Sequence, residues 1–228
     1  FIYFSVEPEC IMQDFEYRDG RLYCEDVSLE AISQEVGTPC YVYSEKALLR
    51  AFSELDRAFS DIDHLICFSV KSNANLAVIN LLAARGSGAD IVSGGELFRS
   101  LRAGVPGERI VFSGVGKSDA EIRYAIESGI LCFNVESLPE LEAIDRVAAS
   151  LGRTAPVSLR INPDVESHTH EYTATGKKEK KFGVPLEDAF DMYLEISRFS
   201  HLRVFGLDTH IGSQIVSYEP FVEALYKL

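Results

Sequence analysis

Metal-binding cysteine pairs, long apolar runs and an excess of basic side chains are all missing from this sequence of 228 residues. Its five cysteines are widely spaced and odd in number, without a C-x-x-C pair, so they indicate neither a disulfide framework nor a zinc site. No apolar stretch approaches the roughly 20 residues that cross a bilayer, and the first residues lack the basic segment of a signal peptide. The net charge of −13 disfavours nucleic acid and anionic membranes as partners. These absences predict a cytoplasmic protein with no metal ion, nucleic-acid partner or membrane partner.

The sequence does contain a regular alternation of short β-branched runs and longer amphipathic segments. This alternation is typical of repeated strand–helix units around a parallel sheet. The predicted strands are 65–70, 89–92, 109–112, 131–134, 156–161 and 202–208. The predicted helices are 44–60, 75–85, 95–103, 118–127, 137–150, 186–198 and 218–228. Helix-start signals stand at Ser44, at Ser118 with Glu121 and at Ser137 with Glu140, and helix stops stand at Gly86, Gly104, Gly129 and Gly152.

Such strand–helix units fit either an open doubly wound sheet or part of a (β/α)8 barrel, and the spacing alone does not decide between them. A doubly wound dinucleotide fold would carry G-x-G-x-x-G after its first strand, where this sequence has SNAN at 72–75. The segment SGVGKS at 113–118 looks like a phosphate-binding P-loop, but that motif requires glycine where Val111 stands. In a barrel the active site lies at the carboxyl ends of the strands. We therefore expect the polar residues at these ends to converge: Lys71, Asp90, Ser113, Asn134, Glu136, Arg160, Asn162, Asp208 and His210.

A series of ordered motifs carries a resemblance to a known family. They include CFSVKSN at 67–73, GADIVSGGEL at 88–97, FNVES at 133–137, RINPD at 160–164, TGKKEKKFG at 175–183 and HIGSQ at 210–214. Together they resemble the diaminopimelate decarboxylase family, whose members are pyridoxal-phosphate enzymes built on a barrel of the alanine racemase type. The resemblance runs from about residue 15 to the last residue. It implies an α/β fold, a (β/α)8 barrel, with pyridoxal 5′-phosphate as the cofactor.

The resemblance also implies roles for particular side chains. Lys71 is the lysine whose amine forms a carbon–nitrogen bond with the cofactor aldehyde, which requires an amine fixed at the end of a rigid element. His210 lies against one face of the pyridine ring, Arg160 reaches the ring hydroxyl, and Asp90 lines the cofactor pocket. From the residues alone, a structural Asp90–Arg160 ion pair and a buried core histidine remain open as alternatives.

Weaker signals surround these residues. Gly212 and Ser213 are implied to form part of the phosphate cradle, although Gly212 also fits a plain turn. Glu96 fits either a contact near the cofactor or an acidic residue in the first turn of a helix. The segment HTHE at 168–171 has two histidines on one face of an extended chain but no further obvious ligand, so no metal site is predicted. The segment 173–183 is expected to be a mobile loop near the site entrance.

Finally, the resemblance predicts two domains. Residues 1–35, which include a hairpin signal at Asp19-Gly20, are expected to be an N-terminal β segment belonging to a C-terminal β domain that this sequence lacks. Residues 36–228 are expected to form the pyridoxal-phosphate-binding barrel, truncated after about six strands. The implied activity is conversion of meso-2,6-diaminopimelate to L-lysine by a homodimer of the full-length protein, and the fragment is expected to be inactive alone. The alternatives are another barrel enzyme with the same cofactor, such as an ornithine or arginine decarboxylase or a racemase, and a truncated non-catalytic homologue.

Overall fold

The computed structural model describes residues 14–165, 182–213, 215 and 217–228. These residues fall into two compact units, one ending at Ile66 and the other beginning at Cys67. Within the described ranges, no helix combines the length and the apolar character that crossing a membrane requires.

The first unit contains a three-stranded antiparallel sheet and two helices. Its strands are β1 (Phe15–Arg18), β2 (Arg21–Cys24) and β3 (Val27–Ser28), and its helices are α1 (Leu29–Val36) and α2 (Glu45–Ala58). Asp19 and Gly20 join β1 to β2 with φ angles of 50° and 77°, the left-handed backbone that a two-residue hairpin turn requires. The predicted hairpin is confirmed, whereas α1 was not predicted.

Side-chain hydrogen bonds hold the start of α2. The Ser44 hydroxyl accepts a hydrogen bond from the Ala47 backbone N–H at 3.0 Å, which confirms Ser44 as the N-cap. The Arg50 guanidinium, on the same helix, donates to the buried carboxylate of Asp14 and holds the pKa of that carboxyl below its ordinary value. The first unit therefore has a polar anchor in addition to its sheet.

In the second unit, parallel strands alternate with helices. The strands are β4 (Cys67–Ser69), β5 (Gly88–Ile91), β6 (Ile110–Phe112), β7 (Cys132–Val135), β8 (Ala155–Asn162), β9 (Val184–Pro185) and β10 (Leu202–Asp208). The helices are α3 (Leu76–Ala83), α4 (Gly94–Arg102), α5 (Asp119–Glu127), α6 (Leu138–Ser150), α7 (Leu186–Ile196) and α8 (Glu219–Lys227), with short 3-10 turns at Val70–Ser72 and Gly107–Arg109. Each predicted strand and helix of this unit is present, with ends shifted by two residues or fewer.

The strand order decides between the two architectures that the sequence left open. The strands lie in the order β4-β5-β6-β7-β8-β10, and the two-residue β9 pairs with β8 only. In a doubly wound sheet the order reverses at a switch point, whereas in a barrel each strand lies beside its predecessor. The second unit is therefore an arc of a parallel barrel, as the family resemblance implied.

The predicted helix signals are confirmed at most positions. Ser118 and Glu121 form the complete capping box at the start of α5. Ser137 occupies the N-cap of α6, which confirms the predicted helix start, although its side chain accepts no capping hydrogen bond. The Glu140 carboxylate instead accepts a hydrogen bond from the Glu136 backbone N–H at 2.9 Å and pairs with the Lys117 ammonium.

The core of the second unit lies between the strands and their helices. The fully buried rings of Phe112 and Phe133, on neighbouring strands, stack with centroids 5.9 Å apart. Leu97, Ile122 and Leu141 pack against this layer from three successive helices. By contrast, Val204, Phe205 and Leu207 on β10 are about half exposed, at 46%, 46% and 51%. The apolar core is thus densest at the middle strands of the arc and thins toward β10.

Candidate active site

A cavity of about 390 Å³ opens at the carboxyl ends of the strands in the second unit. Parallel strands that lie in chain order bring these ends to one edge of the sheet, so residues distant in sequence meet there. The charged and titratable side chains that line it are Cys67, Lys71, Asp90, Glu136, Arg160, Asp208 and His210. Ser113 also lines the cavity, whereas Asn134 and Asn162 are not among the described lining residues. The expected convergence of strand-end residues is therefore confirmed for most of the set.

Lys71 lies just beyond the first barrel strand. β4 ends at Ser69, and Lys71 is the middle residue of the 3-10 turn Val70–Ser72 rather than the direct continuation of the strand. The fully buried Val70 anchors this turn, and the Ser72 hydroxyl donates to the Ser69 carbonyl at 2.7 Å. Lys71 itself is exposed and lines the cavity. The fold therefore delivers an amine to the cavity from a backbone that is held on both sides.

Asp90 is oriented by hydroxyl groups on both neighbouring strands. The Ser69 hydroxyl donates to one carboxylate oxygen at 3.2 Å, and the Ser113 hydroxyl donates to the other at 2.6 Å. The Asn134 side-chain amide in turn donates to the Ser113 hydroxyl at 3.0 Å. Four successive strands or strand ends thus contribute to a hydrogen-bond ladder that fixes the Asp90 carboxylate at the cavity wall.

Arg160 pairs with Glu136 and Asp208, and not with Asp90, which was the acid considered from the sequence. Its Nη1 donates to Glu136 Oε1 at 2.7 Å, its Nε lies 4.0 Å from Asp208 Oδ2, and its guanidinium lies 5.9 Å from the centre of the Phe182 ring. In the part of the chain that the structure describes, Arg160 forms no ion pair with Asp90. The Asp90–Arg160 pair that the sequence left open is therefore replaced by pairing with Glu136 and Asp208.

Two titratable groups on and after β10 have strongly shifted pKa values. Burial raises the pKa of Asp208 to about 6, and the negative charges of Asp90 and Glu136 add to this against the opposing effect of Arg160. Burial lowers the pKa of His210 to about 4, and the positive charge of Arg160 acts in the same direction. At neutral pH the His210 imidazole is consequently neutral, while Asp208 titrates close to the physiological range.

The residues predicted for phosphate binding are less well placed by the described structure. Gly212 and Ser213 follow β10 and the cavity residue His210, but neither is among the described residues that line the cavity. Gly212 has a φ of 146°, a backbone conformation that favours glycine. Ser213 is exposed. Their assignment to a phosphate cradle stays a prediction.

Other sequence signals have structural explanations. Glu96 Oε2 accepts the Val92 backbone N–H at 2.8 Å in the first turn of α4, which is the helix role considered for it. The Lys117 ammonium, in the P-loop-like segment, is buried and already donates to the carbonyls of Gly114 and Asn134, consistent with rejecting a triphosphate site. The segments 168–171 and 173–181 lie outside the described residues. Within the described ranges no cluster of metal-ligating side chains occurs.

Sequence reasoning undervalued Glu136 and did not consider Thr209. Both line the cavity, and both have a buried side-chain oxygen without a hydrogen-bond partner among the described residues. Glu136 directly follows β7, so its position at a strand end was a signal that could have promoted it to a site residue. Thr209 lies between Asp208 and His210, and a hydroxyl at that position carries no comparable signal.

A parallel barrel with a lysine, an arginine and a neutral histidine at its carboxyl-end cavity defines a class of cofactor-binding barrel, and comparison with known proteins identifies the family. Residues 45–228 match the family described as "Pyridoxal-dependent decarboxylase, pyridoxal binding domain". The chain belongs to this family, and the prediction of pyridoxal phosphate as the cofactor is confirmed at the family level.

Several curated relatives are named diaminopimelate decarboxylase. The chain is 50% identical over 217 residues to diaminopimelate decarboxylase of Pseudomonas aeruginosa, covering 95% of the chain and 52% of that relative. It is 49% identical over 207 residues to the enzyme of the same name from Neisseria meningitidis serogroup B, covering 91% of the chain and 50% of the relative. The chain thus spans about half the length of the curated relatives it matches.

Solved structures agree with these matches. The crystal structure of AQ1208 from Aquifex aeolicus superposes with a TM-score of 0.83 at 42% identity, covering 94% of this chain and 49% of that one. Diaminopimelate decarboxylase from M. jannaschii, in a co-complex with L-lysine, superposes with a TM-score of 0.85 at 37% identity, covering 92% of this chain and 50% of that one. The alanine racemase-type barrel predicted from the sequence is therefore confirmed for the part of the fold that this chain contains.

Proposed function

We propose that this chain is the cofactor-binding part of an enzyme that decarboxylates meso-2,6-diaminopimelate to L-lysine. The observation that carries the proposal is the cavity itself: in a chain half identical to a diaminopimelate decarboxylase, strand ends bring Lys71, Arg160 and His210 together at one mouth. The M. jannaschii relative was solved in a co-complex with L-lysine, which is the product of the proposed reaction. The activity is proposed for a protein of the relatives' full length, of which this chain spans about half.

The cavity fits a polar cofactor. Glu136 Oε2, Arg160 Nε and Thr209 Oγ1 are buried atoms with no hydrogen-bond partner among the described residues, and all three residues line the cavity. Buried polar atoms are nearly always paired in folded proteins, so an acceptor, a donor and a hydroxyl left without partners around one cavity favour a polar ligand there. Pyridoxal phosphate carries both donors and acceptors around an aromatic ring and therefore suits this lining.

We assign the following roles to the chain's own residues. Lys71 would hold the cofactor through a carbon–nitrogen bond to its side-chain amine. The neutral His210 imidazole would lie against the ring, where it packs without adding a positive charge. Arg160 would face the ring hydroxyl, with Asp90 lining the pocket. The bound cofactor supplies the electron sink that makes loss of carbon dioxide feasible.

The groups in the cavity that can hold a proton or carry a positive charge support the same chemistry. Asp208, with a pKa of about 6, can hold a proton near neutral pH, and the adjacent Arg160 offers a permanent positive charge. Gly212 and Ser213 would contact the phosphate, because a hydroxyl and an unhindered backbone suit an anion.

The remaining parts of the proposal concern the whole protein. We propose residues 1–35 as part of a separate β domain and 36–228 as the pyridoxal-phosphate-binding barrel. We further propose a cytoplasmic homodimer that acts on a small amino acid and binds no nucleic acid. The net charge of −13 supports the last point, because an acidic surface repels phosphate.

Borohydride reduction followed by peptide mapping tests the role of Lys71. In the intact protein incubated with pyridoxal phosphate, we expect a cofactor adduct on Lys71, and we expect Lys71→Ala to lose both the adduct and the visible absorbance of the lysine-bound cofactor. The control is Lys46→Ala, whose side chain is 60% exposed and does not line the cavity. An adduct on another lysine would contradict the assignment.

Product analysis then tests the substrate. The wild-type intact protein is supplied separately with meso-diaminopimelate, ornithine and arginine, and released carbon dioxide and amine products are measured. We expect L-lysine from meso-diaminopimelate and much slower turnover of the other two amino acids. Preferential turnover of ornithine or arginine would overturn the proposed substrate while leaving the cofactor assignment intact.

A further inference from the structure

Glu136 uses only one of its two carboxylate oxygens. Its side chain is 6% exposed, Oε1 accepts the hydrogen bond from Arg160 Nη1, and Oε2 has no partner among the described residues. A carboxyl oxygen buried in this way costs free energy unless a donor reaches it. Because Glu136 lines the cavity, the donor can come from a molecule bound there.

The contact between Glu136 and Arg160 is not the one expected if these side chains served only to fix each other. A guanidinium and a carboxylate that serve only to fix each other favour two parallel hydrogen bonds. Here the structure shows one such bond, and it leaves Oε2 of the acid and Nε of the base both without hydrogen-bond partners among the described residues. The pair therefore leaves one acceptor and one donor unused, on two residues that both line the cavity.

The backbone of Glu136 is fixed by a separate set of contacts. Its N–H donates to Glu140 Oε2 at 2.9 Å, and the other Glu140 oxygen is paired with the buried Lys117 ammonium. That ammonium also donates to the Asn134 carbonyl at 2.9 Å, two residues before Glu136. With backbone and Oε1 both held, Oε2 has little freedom to turn toward solvent.

We propose that Glu136 is a ligand-binding residue whose Oε2 accepts an N–H or O–H hydrogen bond from the molecule in the cavity, while its Oε1 holds Arg160 in place. The inference rests on the proposed function for the class of ligand, a pyridoxal-phosphate-linked amino acid. The donor has two possible sources, the cofactor or the amino acid, and binding measurements on a single variant separate them.

The informative variant is Glu136→Gln in the intact protein. Its amide oxygen stays with Arg160, because a guanidinium only donates, so the NH₂ group takes the position of Oε2. A donor then faces the donor of the ligand. We expect the affinity for that ligand to fall roughly 10- to 100-fold, the equivalent of one hydrogen bond to a charged group. The control is Glu96→Gln, which keeps an acceptor for the Val92 N–H, does not line the cavity and should change both affinities less than about twofold.

Two binding titrations identify the source of the donor. The first measures the dissociation constant of pyridoxal phosphate without amino acid, and the second measures the apparent affinity and turnover of meso-diaminopimelate at saturating cofactor. A loss in the first titration assigns the donor to the cofactor, and a loss confined to the second assigns it to the amino acid. Unchanged values in both overturn the proposal. The wild-type titrations test the proposed function by themselves, so its failure is seen before any Glu136 variant is made.

A second comparison separates direct contact from an effect through Arg160. Glu136→Gln is also made in an Arg160→Lys background. If Oε2 contacts the ligand, the variant should still weaken binding at least about fivefold there, whereas a loss that disappears in this background means that Glu136 acts only through Arg160 and overturns the proposal. Should the variants fail to fold, a crystal structure of the wild-type protein with both ligands decides. A ligand nitrogen or oxygen within hydrogen-bond distance of Oε2 supports the contact, and a water molecule in that position refutes it.

Discussion

Lys117 forms the most deeply buried ion pair in the part of the chain that the structure describes. Its side chain is 1% exposed and that of its partner Glu140 is 11% exposed. Besides Glu140, the ammonium donates to the Gly114 carbonyl at 2.7 Å and to the Asn134 carbonyl at 2.9 Å, and it lies 5.4 Å from the centre of the Phe112 ring. The ammonium thus ties the loop after β6 to the end of β7 and the start of α6.

Lys117→Met keeps much of the apolar length of the side chain but removes the charge and every donor. The carboxylate of Glu140 and two carbonyls would then be left without this partner in a buried setting. Removing one member of a buried ion pair typically costs about 3–5 kcal/mol of folding free energy. We expect a loss of that size in the free energy of unfolding, measured by urea titration with circular dichroism on the intact protein. Because the same contacts fix Glu136, turnover should fall as well.

The matched control is Arg146→Met, which breaks the ion pair with Asp119 across the exposed surface of α5 and α6. Those side chains are 62% and 58% exposed, and exposed ion pairs contribute little to stability because water screens them, so we expect a much smaller loss. The double variant Lys117→Met/Glu140→Met removes both buried charges and should recover part of the lost stability, since apolar replacements of buried pairs are often tolerated. If Lys117→Met were as mild as Arg146→Met, the reasoning from burial would be wrong.

Three further predictions follow from the second unit. The pKa of Asp208 lies above its unfolded value of 3.8, at about 6, so the folded state binds more protons between these values and loses stability as pH rises through them. In ligand-free denaturant titrations at pH 8, Asp208→Asn should therefore be more stable than the wild type by up to roughly 3 kcal/mol. This gain should disappear below about pH 4. A variant that is less stable than the wild type at pH 8 would contradict the reasoning. Gly88→Ala places a Cβ 2.3 Å from the Arg109 carbonyl oxygen and 2.8 Å from Cys67 Sγ. Because of this steric clash, thermal unfolding should show a loss of roughly 1–3 kcal/mol in the free energy of unfolding. An unchanged melting temperature would count against a clash at this position. Leu141→Ala empties a fully buried position and should cost about 2–5 kcal/mol in the same assay, while a loss under about 1 kcal/mol would mean that the site collapses around the smaller side chain.

The barrel arc could be predicted from sequence because its signals are local. Short apolar runs bounded by polar strand ends gave the strand positions, and glycines with positive φ, such as Gly86 and Gly152, ended the helices as expected. Once the strands were known, the convergence of their ends followed from parallel pairing in chain order. By contrast, α1 is only eight residues long and follows β3 directly, almost wholly within the stretch 1–35 that was assigned to a β segment.

The choice of partners within the site could not be predicted in the same way. Asp90 was the acid considered as a partner for Arg160, but its carboxylate is already occupied by the hydroxyls of Ser69 and Ser113. Which acid reaches the guanidinium depends on side-chain direction and on hydroxyls from neighbouring strands. Likewise, the sequence pattern at Ser137 and Glu140 fits a capping box, yet Lys117 and the Glu136 N–H occupy the Glu140 carboxylate. Competition of this kind is a tertiary effect that spacing along the chain does not encode.

The order of the barrel strands also has a consequence for how the protein is made. Each strand from β5 to β8 pairs with the strand immediately before it, and β10 pairs with β8. During translation, each of these strands therefore emerges from the ribosome after the strand with which it pairs. Strand pairing can then extend from β4 onward as the polypeptide lengthens. Contacts between segments close in sequence also shorten the loops that must close, which favours rapid folding over a topology in which early strands wait for late ones.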